Sequence, residues 1–150
     1  MNPQPPVTKT LLTGGAGYMG SHTAVALVEA GFAPIVLDNF ANSHPVVLDR
    51  LARITGQPVP LERGNVLDTA WLEDVLRRHR PAGVVHFAGD KAVGERVALP
   101  LKYFHNNIGG AVSLLRAMET VHAEDPSLAP TLVFSSSATV YGDPATVPIT

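Results

Sequence analysis

The chain has 150 residues, of which 45% are hydrophobic and 16% are charged, and this composition suits one globular domain or one part of a larger fold. Its net charge of −2 excludes the basic footprint of a nucleic-acid-binding protein, and the lack of cysteine excludes disulfides and thiolate metal sites. The six histidines show no i, i+4 pairing, and no apolar run approaches the ~20 residues of a membrane-spanning helix. We therefore expect a soluble cytoplasmic protein that uses no metal, no nucleic acid and no membrane.

Residues 1–7 contain three prolines and predict a disordered lead-in rather than a secretory signal. Residues 8–150 then alternate between apolar strands and amphipathic helices. Strands are predicted over 9–13, 34–37, 57–63, 82–87 and 131–135. Helices are predicted over 21–30, within 42–54, over 69–79 and from 100 to 122. Because connections of helical length join successive strands, this alternation predicts an α/β fold, a doubly wound parallel sheet of Rossmann type with strand order 3-2-1-4-5. Such a sheet normally continues past its fifth strand, so we expect the domain to be incomplete at its C-terminus.

A glycine-rich turn joins the first strand to the first helix. Gly15, Gly17 and Gly20 fit G-x-G-x-x-G, whereas Gly14, Gly17 and Gly20 fit the wider G-x-x-G-x-x-G. Glycines at such a turn let a ligand approach the backbone, and the helix N-terminus behind them carries partial positive charge. The turn therefore predicts a phosphate-binding site, with a tight strand-to-helix turn that binds no ligand as the alternative.

Small or polar residues also follow the other strands, at the edge where a doubly wound sheet binds its ligand. Asp38 ends the second strand, roughly 20 residues after the glycine turn, where a carboxylate accepts hydrogen bonds from an adenosine ribose. A carboxylate would repel the 2′-phosphate of NADP, and Asn39 and Phe40 supply no cation to offset it. The sequence therefore predicts NAD as the cofactor.

Five stretches carry a specific resemblance to a known family. They are 13–23 (TGGAGYMGSHT), 37–39 (LDN), 86–89 (HFAG), 91–95 (KAVGE) and 135–142 (SSSATVYG). In this order they resemble the UDP-glucose 4-epimerases, a family of the extended short-chain dehydrogenase/reductase superfamily, and the match covers residues 8–150. The family implies an NAD-binding Rossmann domain, a UDP-hexose substrate, and interconversion of UDP-glucose and UDP-galactose through a 4-keto intermediate in galactose metabolism.

The resemblance implies which residues would hold the cofactor and the substrate. At the pyrophosphate turn these are Gly14, Gly17, Tyr18, Met19 and Gly20. Around the adenosine they are Asp38, Asn39, Asn42, Ser43, Asn65 and Val66. Beside the fourth strand they are Phe87, Ala88, Gly89, Lys91 and, from the long helix, Asn107. Ser137 would be catalytic, hydrogen-bonding the sugar hydroxyl that loses its proton.

Two residues depart from the family's pattern. Asn65 stands where the family usually has aspartate, so it would accept from the adenine amino group without a charge. Asp90 stands where the family usually has an apolar residue, next to Lys91. Its carboxylate would either pair with Lys91 or partly neutralise it near the phosphates, and the sequence leaves both open.

The resemblance also implies a base that these residues do not contain. The family's base is a tyrosine with a lysine four residues later, and it takes the proton of the sugar's C4 hydroxyl while hydride passes to NAD⁺. Here the residues at that spacing after Tyr18, Tyr103 and Tyr141 are His22, Asn107 and Ala145. In the family the pair opens the helix after the fifth strand, so we expect these 150 residues to lack activity by themselves.

Two other functions stay open. Another NAD-dependent sugar-nucleotide epimerase or dehydratase shares the glycine turn and the carboxylate, and a non-catalytic NAD-binding module shares the fold without the base. A serine hydrolase built on residues 135–137 is disfavoured, because no G-x-S-x-G motif surrounds them.

The predicted helix over 100–122 carries more apolar residues than one buried face needs. They are Leu101, Phe104, Ile108, Leu115 and Met118. The resemblance implies half of a homodimer contact, whereas burial in the chain's own core is the alternative.

Overall fold

The structure, a computed structural model, describes residues 7–137 together with Gly142 and Thr146. Five strands form one sheet: β1 (Lys9–Thr13), β2 (Ala33–Asp38), β3 (Leu61–Arg63), β4 (Gly83–His86) and β5 (Thr131–Phe134). The helices are α1 (Tyr18–Glu29), α2 (Val46–Thr55), α3 (Thr69–His79), α4 (Val93–Ala98), α5 (Pro100–Tyr103), a π-helical turn (Phe104–Gly109) and α6 (Gly110–Glu124). All strand pairs are parallel, in the order β3-β2-β1-β4-β5, which confirms the predicted doubly wound sheet.

Alternate residues of the central strands pack against opposite helical layers. Leu11 and Val84 join a core cluster with α3 and α6, whereas Leu12 and Val36 join a second cluster with α1 and α2. Because helices cover both faces, the strands read as continuous apolar runs. Strand order reverses between β1 and β4, so the carboxyl ends of these two neighbours form the point at which such sheets bind ligands.

The predicted boundaries hold for most elements and shift at two. α1 begins at Tyr18 rather than at Ser21, because Gly17 is its N-cap and the last three residues of the glycine-rich stretch form its first turn. β3 is confined to Leu61–Arg63, since the prolines before it have no N–H to donate to the sheet. Of the predicted lead-in, only Val7 lies within the described residues.

The segment from 93 to 124 differs from the single predicted helix. A separate helix, α4, precedes it, and the π-helical turn divides it into α5 and α6. The side chains that pack inward are Tyr103, Leu114, Ala117 and Val121. The predicted apolar positions Leu101, Phe104, Ile108 and Leu115 are 81%, 61%, 53% and 51% exposed, so the alternative that the chain's own core buries them is wrong. Met118 packs against the core.

No helix among the described residues is both long and apolar enough to cross a membrane.

Candidate cofactor-binding site

A cleft of about 730 Å³ opens at the carboxyl ends of the strands, where the strand order reverses. Its walls come from the glycine turn after β1, the loops after β2, β3 and β4, and the helical segment from Glu95 to Asn106. Polar side chains predicted from separate parts of the sequence therefore meet in one place. The lining of the cleft runs from Gly64 and Val66 after β3 to the loop after β4, so it spans several strand ends and suits an extended ligand better than a single phosphate.

The glycine turn meets the other side of the cleft too closely for a larger residue. Gly14 has φ +68°, and a Cβ there would lie 2.8 Å from the backbone nitrogen of Ala88. A Cβ on Gly20 would lie 2.5 Å from the carbonyl oxygen of Gly14. Gly15 packs under the turn against Leu12 and does not line the cleft. The template formed by Gly14, Gly17 and Gly20 is therefore the one whose three glycines all line the cleft.

The N-terminus of α1 faces the cleft without a side-chain cap. Gly17, the N-cap, is extended with ψ 175°, and no acidic residue occupies the first turn. Tyr18 and Met19 are 78% and 56% exposed at the mouth. Uncapped N–H groups and the positive end of the helix dipole together suit an anion, so the residues present fit the diphosphate of a dinucleotide.

Asp38 is buried at the end of β2 and organises the loop that follows. Its Oδ2 accepts from the backbone N–H of Ala16 at 3.0 Å. Its Oδ1 accepts from the backbone N–H of Phe40 and from Oγ of Ser43, both at 2.8 Å. The carboxylate thus joins the glycine turn to the β2 loop, and it still lines the cleft where a ribose could donate to it.

A cation not considered from the sequence lies behind this loop. The Arg63 guanidinium stacks on the Phe40 ring, 5.5 Å from its centroid, because the register of β3 sets Arg63 beside Asp38. Phe40 itself has φ +59°. Neither residue lines the cleft, so the cleft surface near Asp38 carries the negative charge.

The β4 side of the cleft is held by an amide from the π-helical turn. Oδ1 of Asn107 accepts from the Asp90 backbone N–H at 2.7 Å, and Nδ2 of Asn107 donates to the Asp90 carbonyl at 2.9 Å. A π-helical turn widens the helix locally and is frequent at functional sites. Here Asn107 contacts the backbone of the β4 loop, whereas its neighbour Asn106 lines the cleft.

Asp90 does not pair with Lys91. Its Oδ1 accepts from Nδ2 of Asn42, across the cleft, at 3.0 Å. Within the part of the chain that the structure describes, no ion pair forms between Asp90 and Lys91. Of the two possibilities that the sequence left open, direct pairing is therefore not observed.

A polar cluster not predicted from the sequence closes the far end of the cleft. Nζ of Lys102 donates to Glu95 at 2.6 Å, which lowers the pKa of that carboxyl. The buried Tyr103 hydroxyl lies 2.9 Å from both Glu95 and the Ala92 carbonyl. Burial first, and the Glu95 contact second, raise the pKa of Tyr103, which keeps the phenol protonated. This cluster fastens α4 to α5 beside Lys91.

His86 is the last residue of β4 and pairs with Thr13 of β1. Its Nδ1 is 2.7 Å from Oγ1 of Thr13, and its ring stacks on Phe134 with centroids 5.6 Å apart. Burial, and secondarily the nearby Lys91 charge, lower the pKa of His86. The ring is therefore neutral at neutral pH.

Comparison with known proteins identifies the family. The family model described as GDP-mannose 4,6 dehydratase matches residues 11–150. The chain belongs to this family. Among its curated relatives, UDP-glucose 4-epimerase of Dictyostelium discoideum is 45% identical over 142 residues, which are 95% of this chain and 40% of that protein. UDP-glucose 4-epimerase of Neisseria meningitidis serogroup B is 49% identical, with the same coverage of 95% and 40%. The chain thus spans about 40% of the length of these relatives.

Solved structures of UDP-glucose 4-epimerases superimpose closely on the chain. UDP-glucose 4-epimerase of Bifidobacterium longum in complex with NAD⁺ and UDP superimposes with a TM-score of 0.86 at 44% identity, covering 95% of this chain and 41% of that one. The enzyme of Stenotrophomonas maltophila, with NAD and formylated UDP-arabinopyranose, gives a TM-score of 0.85 at 39% identity, covering 95% and 40%. The resemblance to UDP-glucose 4-epimerases read from the sequence is confirmed.

Most of the predicted site residues of this family member line the cleft. Those that do are Gly14, Gly17, Tyr18, Met19, Gly20, Asp38, Asn39, Asn42, Ser43, Val66, Phe87, Ala88, Gly89 and Lys91. What each of them binds stays a prediction, because a position in the wall does not identify the ligand.

Three predicted residues do not line the cleft. Oδ1 of Asn65 accepts a hydrogen bond from the Leu67 backbone N–H at 3.0 Å. The oxygen that was expected to face adenine therefore stabilises the loop after β3 instead. Asn107 has both polar atoms on Asp90, and its neighbour Asn106 lines the cleft. Ser137 follows β5 outside the lining. Helical periodicity carried no signal that would separate Asn106 from Asn107, since a π-helical turn breaks that period.

Proposed function

We propose that this chain is the NAD-binding part of a UDP-glucose 4-epimerase, an isomerase that interconverts UDP-glucose and UDP-galactose. The observation that carries the proposal is the cleft itself. An uncapped helix N-terminus behind three glycines faces a buried carboxylate, and Asp38 is bonded directly to the glycine turn through Ala16. Relatives named UDP-glucose 4-epimerase at 45% and 49% identity support the same activity.

The proposed cofactor is NAD. Its diphosphate would lie on the N–H groups of α1, with Gly14 and Gly20 leaving room for it. Asp38 would accept from the adenosine ribose, Val66 would contact the adenine, and the β4 loop with Lys91 and Asn106 would hold the nicotinamide side. When bound, NAD would supply a reversible acceptor for the hydride at C4 of the sugar. The chain's own residues bind and orient the dinucleotide.

The proposed reaction needs a base that removes the proton of the sugar hydroxyl, and these 150 residues do not supply it. No tyrosine in the chain has a lysine four positions later. The full reaction therefore needs a tyrosine and lysine from elsewhere in the complete gene product. We expect the 150 residues alone to show no epimerase turnover.

We also propose a cellular location and an oligomeric state for the complete protein. A UDP-hexose epimerase of galactose metabolism would work in the cytoplasm. The exposed apolar face on α5, the π-helical turn and α6 supports a homodimer through that face, because contiguous exposed apolar surface usually marks an interface.

The test is an assay of the complete gene product with UDP-galactose in the presence of NAD⁺. We expect UDP-glucose as the product, with dTDP-glucose left unchanged. Conversion of dTDP-glucose but not UDP-galactose would contradict the proposal. Binding of NAD⁺ with no turnover of either sugar nucleotide would indicate a non-catalytic NAD-binding module instead.

A second candidate has one observation in its favour. The family model that matches the chain is described as GDP-mannose 4,6 dehydratase, so a sugar-nucleotide dehydratase remains the alternative. Incubation with GDP-mannose separates the two activities. A dehydratase would convert it to a 4-keto-6-deoxy sugar nucleotide, whereas the proposed epimerase would leave it intact.

A further inference from the structure

A carboxylate bridges the two sides of the candidate cofactor cleft. Asp90, in the loop after β4, is 9% exposed, and its Oδ1 accepts from Nδ2 of Asn42 in the loop after β2 at 3.0 Å. β2 and β4 are the two neighbours of β1 in the sheet. The hydrogen bond therefore spans the carboxyl end of β1, which is the strand that leads into the glycine turn.

The backbone of Asp90 is fixed, so its carboxylate is not a mobile surface group. Asn107 bonds both the N–H and the carbonyl of Asp90, at 2.7 and 2.9 Å. The preceding residue, Gly89, has φ +156°, and a Cβ there would lie 3.1 Å from Oδ1 of Asn107. These contacts fix the backbone that carries the Asp90 side chain, and the residue lines the cleft.

The cleft has little positive charge to offset this carboxylate. Its described lining contains three carboxylates, on Asp38, Asp90 and Glu95, and two ammonium groups, on Lys91 and Lys102. Lys102 is bonded to Glu95, which leaves Lys91 as the uncommitted lysine of the described lining. A dinucleotide brings a diphosphate with further negative charge, and like charges in a partly enclosed cleft repel strongly.

We propose that Asp90 is an affinity-determining residue that makes the bound dinucleotide exchangeable with solvent. The inference rests on the proposed function, since it requires NAD in this cleft. To enter, the dinucleotide must either take the Asn42 amide away from Asp90 or leave that hydrogen bond in place and lie beside a carboxylate whose charge no ion pair offsets. Both routes cost binding free energy. Occupancy then follows the free concentration of NAD instead of staying permanently full.

The first test measures retention of NAD by the wild-type complete gene product. Protein loaded with NAD⁺ is passed over a gel-filtration column, and the nucleotide that remains is measured by absorbance and by release on denaturation. We expect the protein to lose most of its NAD and to regain it when NAD⁺ is added. Stoichiometric NAD that survives the column would overturn the proposal, and this outcome does not depend on any variant.

The second test compares affinities by calorimetric titration of NAD⁺ into wild type, Asp90→Asn and Glu29→Gln. Asp90→Asn keeps the shape and removes the charge, so we expect its dissociation constant to be about tenfold lower. Glu29→Gln makes the same change in net charge at the far end of α1 and should leave the dissociation constant unchanged. In high salt the difference between the dissociation constants of wild type and Asp90→Asn should become smaller, because salt screens the repulsion between the carboxylate and the diphosphate.

The outcomes separate the inference from the proposed function. Equal or weaker NAD binding by Asp90→Asn, with wild type binding normally, would overturn the inference alone. Failure of wild type and both variants to bind NAD would overturn the proposed function and the inference with it. Thermal unfolding of each protein checks that a change in affinity does not come from a change in folding.

Discussion

Position 14 imposes two structural requirements, and glycine is the residue that satisfies both. Its φ of +68° lies in the left-handed region, and the Ala88 backbone lies where a Cβ would be. Gly31 has a similar φ of +83° but no atom within 4 Å of a Cβ. A comparison of substitutions at the two glycines therefore separates the free-energy cost of the backbone conformation from the free-energy cost of the close approach.

We expect Gly31→Ala to lower the free energy of unfolding by about 1 kcal/mol, the cost of a left-handed alanine. Gly14→Ala should cost about 2 kcal/mol more, because the turn must move away from Ala88, and it should abolish NAD binding. Urea unfolding and NAD titration of both variants measure this difference. Equal stability of the two variants, with NAD binding intact in Gly14→Ala, would show that the close approach is unimportant.

His86 predicts a pH dependence of stability. Its folded-state pKa is lowered by burial, so the unfolded chain binds the proton more readily than the folded chain. Stability is then full above the ordinary histidine pKa of about 6.5 and falls as the pH drops below it, by at most about 1.4 kcal/mol per pH unit. Carboxyls with lowered pKa values, such as Glu62 and Asp125, lose their contribution in a separate, more acidic window.

Urea unfolding at pH 7.5 and pH 5.5 tests this expectation. The free energy of unfolding should be lower at pH 5.5 for wild type, and His86→Asn should remove most of that difference. A wild-type stability that is the same at both values, or that rises on acidification, would contradict the assignment of a neutral buried His86.

The sequence was sufficient to predict those cleft residues that directly follow a strand. Asp38 was found because parallel strands bring their carboxyl ends to one edge. Asn106 was not found, because the side of a helix that faces the cleft depends on a π-helical turn that no sequence period indicates. The hydrogen bond between Asp90 and Asn42 also could not be predicted from the sequence, since it joins side chains that are 48 positions apart.

At the scale of elements, the helical segment from 100 to 124 has two apolar faces with different surroundings. The inner face packs on α3 and the sheet, and Gly110 allows this approach because a Cβ there would lie 2.7 Å from Val66. The outer face leaves Leu101, Phe104, Ile108 and Leu115 exposed. The sequence showed the excess of apolar residues but not which of them the sheet covers.

We expect this outer face to form a homodimer in the complete gene product. Leu115→Glu would place a charge in the interface and should convert the dimer to a monomer, because an unpaired charge is costly to bury. Ala123→Glu puts the same charge on the exposed end of α6 and should leave the dimer intact. Analytical ultracentrifugation measures both. A monomeric wild-type protein would contradict the expectation.

At the scale of the whole molecule, the alternation of strands and helices was enough to predict the sheet and its order. Connections of helical length force neighbouring strands to be parallel, and their handedness limits the possible orders to a few. The same alternation does not predict the separate helix α4, which is short and whose six residues show no clear apolar stripe. The chain spans about 40% of the length of the relatives that it matches, so the proposed epimerase activity has to be tested on the complete gene product.

We expect the cleft to bind NAD through the glycine turn and Asp38. Calorimetric titration of the complete gene product with NAD⁺ and with NADP⁺ measures this binding. We expect one NAD⁺ site per chain and binding of NADP⁺ that is at least about tenfold weaker, since its 2′-phosphate would face the Asp38 carboxylate. A cleft that binds no NAD⁺, or that binds NADP⁺ more tightly than NAD⁺, would show that Asp38 and the glycine turn do not form an NAD site.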